Sequence, residues 1–141
     1  MNIFIPFIGM MLLTLIVWLV MYAKRLTWIT QNSIDPDTIA TPEKLTSAIP
    51  ESVNHASNNL KNLFELPVIF YALCLFLVST NQVDNTYVYC AYGFLILRTL
   101  HSAVQCTGNQ VSIRFPLYML SSIALWVMVI RSALNIDIMG L

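Results

Sequence analysis

The sequence predicts an all-α fold, a bundle of four transmembrane helices in a single membrane domain over residues 1–141. Two observations carry this. Of the 141 residues, 57% are hydrophobic and only 10% charged, whereas soluble domains run near a quarter charged. That is too little polar surface to solvate a globular exterior. The apolar residues also gather into runs of about 20, the length a helix needs to cross a hydrocarbon core.

The first run, Ile3 to Ala23, has no Lys or Arg before it and is followed by Lys24-Arg25. A cleaved leader would want a basic start and a small-residue cleavage site, so the run is expected to stay as an anchor, a helix over 3–23. Residues 24–53 carry Pro36, Pro42 and Pro50, which break long helices, and read as a polar loop. From Val53 a polar helical segment continues into Leu66–Val78, giving one helix over 53–79 bent at Pro67. A short turn leads to a third span over 86–106. Thr107-Gly108-Asn109 then turns the chain into a fourth over 113–130.

Net charge is zero, which argues against nucleic acid, whose binding needs clustered Lys and Arg. There is no Gly-rich phosphate loop. Cys74, Cys90 and Cys106 follow no metal or disulfide spacing, so no metal is expected. Basic residues set the orientation. Lys24, Arg25, Lys44, Lys61 and Arg114 fall on one side and only Arg131 on the other. This puts the 24–53 loop in the cytoplasm and both termini outside it.

Three polar groups interrupt the apolar pattern. Asn58, Asn62 and Glu65 share a face of the second helix at i, i+4 and i+7, and Arg98, His101 and Gln105 share a face of the third. Arg114 and Tyr118 share the start of the fourth. A charge at membrane depth costs about 2.5 kcal/mol or more, so these faces should turn inward, with Glu65 and Arg98 close enough to neutralise each other. A buried ion pair holding the bundle in register is one reading. A polar pocket for an anionic ligand is the other, favoured by the excess of Arg98, Arg114, Lys61 and Arg25 over the single acid Glu65.

The stretch Asn58-Asn59-Leu60-Lys61-Asn62-Leu63-Phe64-Glu65-Leu66-Pro67 resembles the second-helix motif of the MAPEG proteins (membrane-associated proteins in eicosanoid and glutathione metabolism). Arg98-x-x-His101 and Arg114-x-x-x-Tyr118 look like the third- and fourth-helix patterns of its prostaglandin-synthase members. Arg114-Phe115-Pro116-Leu117-Tyr118 is similar to the arginine segment of its leukotriene-synthase members. The similarity runs over about residues 54–132. Three positions depart from it: Asn58 stands where the family has arginine, Gln105 where it has tyrosine and Phe115 where the prostaglandin synthase has serine.

The resemblance implies a homotrimer in a membrane, of bacterial inner-membrane type, with glutathione as co-substrate between subunits near the cytoplasmic face. Asn62 and Glu65 would hold the tripeptide backbone, and Arg98 would support the site. His101 and Tyr118 would contact the peptide, with Lys61 and Gln105 completing the lining. Arg114 would stabilise the thiolate, since a nearby guanidinium favours the charged form of a thiol. The implied activity is a thiol-dependent transferase or peroxidase acting on small lipophilic electrophiles drawn from the lipid. A non-catalytic lipid-binding protein of the same fold is the alternative, and an ion or proton carrier a third.

Overall fold

The computed structural model describes the backbone of residues 2–139 and the side chains of residues 2–135. All its regular structure is helical. In chain order the helices are α1 (Phe4–Gln31), α2 (Pro42–Ala48), α3 (Glu51–Leu63), α4 (Leu66–Ser79), α5 (Asn85–Cys106) and α6 (Val111–Met139), with a 3₁₀ turn at Pro36–Ile39. Three stretches are long and apolar enough to cross a membrane: Phe4–Gln31, Glu51–Ser79 and Val111–Asn135. The 22 residues of α5 span about 33 Å at 1.5 Å per residue, but its polar residues dilute its apolar content.

Each of the long helices buries one stripe. On α1 it is Phe7, Met10, Leu13, Val17 and Met21, recurring at three- and four-residue steps as a core-facing helix requires. On α4 it is Pro67, Phe70, Cys74 and Leu77. On α5 it is Tyr87, Ala91, Phe94, Arg98, His101 and Gln105. This last stripe changes character midway: apolar toward its N-terminus, polar toward its C-terminus, with no change of period. The apolar half packs with Phe70, Leu125 and Met128 into one core, where the Phe70 and Phe94 rings stack at 4.7 Å between centroids.

The second predicted helix is two helices. Pro67 lacks an N–H, and its ring collides with the carbonyl four residues back while restricting the residue before it. The chain therefore leaves helical geometry at Glu65 (φ −98°, ψ −105°) and restarts with Pro67 in the first turn of α4. Two further expectations change. Helix α1 runs past Lys24-Arg25 to Gln31, and the 24–53 segment is ordered, with α2 capped by the Thr41 hydroxyl and started by Pro42. Both ends of that cap follow from sequence: Thr accepts from the first turn, and Pro at its first position forfeits no hydrogen bond.

At the other end of the bundle Asp84 caps α5, accepting from Tyr87 N–H at 3.0 Å, and takes two hydrogen bonds from Arg131 at 2.7 and 2.5 Å. The Arg131 guanidinium holds the Asp84 carboxyl down at about 2. Its contribution to stability is therefore complete above the ordinary aspartate range and is lost as pH falls toward 2. The pair is solvent-accessible, so that contribution is at most about 1 kcal/mol.

Candidate functional site

The polar half of the α5 stripe meets α3 and α6. Gln105 and His101 are both buried. The Asn62 side-chain amide donates to Gln105 Oε1 at 3.0 Å. His101 Nε2 lies 3.0 Å from the same oxygen, and its Nδ1 lies 2.9 Å from the backbone carbonyl of Arg114. These contacts join α3 through α5 to the first turn of α6, and a neutral imidazole, carrying a single N–H, donates to one of the two oxygens. Gln105 is at their centre. Gln105→Leu should leave two polar groups without their partner and destabilise the protein by about 1–3 kcal/mol. Urea unfolding in micelles checks this, and an unchanged midpoint would mean that the amide is dispensable.

Arg98 lies one turn deeper. It is 0% exposed, and among the described residues none of its three guanidinium nitrogens has a hydrogen-bond partner. Its guanidinium lies over two aromatic faces, the Tyr118 ring at 4.5 Å and the Phe94 ring at 5.4 Å. Cation–π contacts offset part of the desolvation of a guanidinium, but all five of its N–H donors remain unmatched.

The expected Glu65–Arg98 ion pair is not formed. Among the described residues the one salt bridge is Arg131–Asp84, and Glu65 is exposed on the subunit. The physical reason is the break at Pro67. The i, i+7 reasoning assumed one continuous helix, and the non-helical backbone at Glu65 takes the carboxylate off the face that carries Asn62. Asn58 is likewise exposed.

Arg114 is half-buried, and its Nη1 donates to Asn109 Oδ1 at 2.6 Å. Asn109 occupies the left-handed region at φ 50°, which asparagine tolerates better than most residues. This turn aims the amide at the guanidinium. Tyr118, one turn on, keeps its ring 5.7 Å from that of His101. Lys61 stands apart from this network. It lines a cavity of about 350 Å³ under α2 with Arg25, Thr41, Thr46 and Ser57, and no acid borders that cavity.

Sequence reasoning missed Asn59 and Ser102. Asn59 is fully buried, accepts from the Ser102 hydroxyl at 3.3 Å and donates to the Cys106 sulfur at 3.4 Å. Its signal was present: Ala56, Asn59 and Leu63 stand at i, i+3 and i+7, and all three are buried on α3.

A helical membrane protein with buried polar side chains converging from three of its helices is the class this fold and site define. A family model of the MAPEG family matches residues 3–134, nearly the whole described chain. The chain belongs to the MAPEG family. No curated protein and no solved structure gives a significant match.

Proposed function

We propose that the protein is a membrane transferase or peroxidase that binds glutathione, or a closely similar thiol, and directs its thiolate at small lipophilic electrophiles. The observation that carries this is Arg98, a fully buried guanidinium without a hydrogen-bond partner or counter-ion. A cation in a low-dielectric interior projects its field further than one in water, so the site is electrically incomplete until an anion arrives. Arg114 supplies a second positive charge, and the exposed Glu65 a carboxylate for a ligand's ammonium group. In this reading Asn62, His101, Gln105 and Tyr118 hold the peptide portion and Arg114 the sulfur.

The chemistry asked of the protein is modest. Arg114 raises the thiolate fraction at neutral pH. An electrophile dissolved in the bilayer meets the sulfur at high local concentration, a proximity effect. The sulfur forms its bond to the electrophilic carbon, and the leaving group departs with the electron pair.

Assembly and topology belong to the same proposal: a homotrimer of subunits with four spans, α5 being the fourth, in which a neighbouring subunit covers the exposed Glu65 edge. Both termini lie outside the cytoplasm, in a bacterial inner membrane. A cysteine placed at Thr41 in a cysteine-free background should resist an impermeant thiol reagent in intact cells, and labelling there would reverse the orientation. The test of activity is conjugation of chlorodinitrobenzene by the purified protein. Turnover saturable in glutathione is the expected result. Its absence, with retention of bound lipid, would favour the non-catalytic lipid-binding reading.

A further inference from the structure

On α1 the residues Leu13, Val17, Val20, Lys24, Thr27 and Gln31 recur at three- and four-residue steps, so one face of the helix carries them all. Below Lys24 this face borders α5. Two cavities there, of about 370 and 480 Å³, share Leu13, Ile16 and Thr99 and so form one groove. Gly9 sits at its far end. A Cβ on Gly9 would lie 2.7 Å from Leu95 Cδ2, so the Leu95 side chain packs directly over the glycine there.

Above Lys24 the same face borders α3 across a cleft of about 470 Å³ lined by Thr27, Trp28, Gln31 and Ser52. Lys24 lines both the groove and the cleft. It marks the boundary between an apolar slot and one that also carries the polar side chains of Thr27, Gln31 and Ser52.

The ammonium is incompletely used. It donates to the Cys106 backbone carbonyl at 2.6 Å, which leaves two of its three N–H donors. Among the described residues no Asp or Glu lines the groove or the cleft. The eleven residue steps from Leu13 to Lys24 measure about 16 Å along the helix, close to one leaflet of a hydrocarbon core about 30 Å thick. Trp28 stands just beyond, at the level where indole rings favour the headgroup region.

We propose that this face binds one anionic glycerophospholipid. An acyl chain lies in the groove past Val20 and Leu13, the phosphate sits on Lys24, and the headgroup enters the cleft beside Thr27, Trp28 and Gln31. None of Asn62, Arg98, His101, Gln105 or Arg114 lines the groove or cleft, so the proposal stands apart from the thiol reading.

The test is native mass spectrometry of the purified full chain with phosphatidylglycerol and phosphatidylcholine of matched acyl chains. Wild type should retain phosphatidylglycerol with a preference of about fivefold, the scale of one basic residue at an anionic surface. Lys24→Gln should bring the two lipids level and Lys24→Arg should keep the preference. Ala103→Trp, which fills the groove, should lose both lipids. Equal retention of the two lipids by wild type overturns the proposal, as does a preference unchanged in Lys24→Gln. Disulfide cross-linking of a cysteine at Ala103 to a second copy also overturns it, by showing the groove closed by protein.

Discussion

Arg98→Met should make the unliganded protein more stable and its ligand weaker. The guanidinium is wholly buried between Phe94 and Tyr118 with no acid and no hydrogen-bond acceptor. Replacing buried ionic groups by apolar ones of similar volume is often neutral or stabilising by about 1–4 kcal/mol, and here no partner is orphaned by the change. Thermal unfolding of the ligand-free variant in micelles should therefore show a raised midpoint. Glutathione affinity should fall by at least about tenfold, or about 1.4 kcal/mol. A loss of several kcal/mol on substitution would mean that Arg98 is paired in the assembled protein, and that its role is to hold the bundle.

The second large effect concerns Arg114. Its guanidinium is held by Asn109 at 2.6 Å, and its backbone carbonyl faces His101 Nδ1 at 2.9 Å. The substitution Arg114→Ala removes the charge but keeps the carbonyl, so the Asn62–Gln105–His101 chain should survive. Removing one preorganised contact to an anion typically costs about 2.7–4 kcal/mol in catalysis, a hundredfold or more. Turnover of chlorodinitrobenzene should fall on that scale, with loss of the ultraviolet absorbance of bound thiolate at neutral pH. Affinity for glutathione should change less than rate. Arg114→Lys should recover only part, because an ammonium lacks the planar multi-donor fork. An Arg114→Ala protein as active as wild type would show that another group stabilises the sulfur.

Much of this arrangement was legible in the sequence because two periodicities are strong. The apolar runs mark the helices, and the i, i+3, i+7 spacing of Arg98, His101 and Gln105 puts them on one face of α5, where the structure has all three buried. The start of α6 was legible in the same way, with Arg114 and Tyr118 on one side of the helix. What failed was the join between α3 and α4. Pro67 reads as a bend within one helix, but it ends one helix and begins another, and Glu65, at the break, leaves the helical phase of Asn58 and Asn62. Glu65 is therefore exposed where an ion pair was expected. The loop failed for a different reason. Pro36, Pro42 and Pro50 read as breakers in the sequence, yet Pro42 follows Thr41 at a helix start, where proline is favoured. Gln105 shows the limit of arguing from resemblance. It departs from the family's tyrosine, but its amide makes contacts on two sides, to Asn62 and to His101, which no spacing rule announces.

In the proposed function Arg98 and Arg114 leave an excess of positive charge that a thiol peptide fills. Calorimetric titration of the purified wild-type protein with glutathione tests it most directly. Saturable binding that weakens at least about tenfold in Arg98→Met is the expected result. Heat indistinguishable from dilution, in wild-type protein that is folded and lipid-loaded, would contradict it.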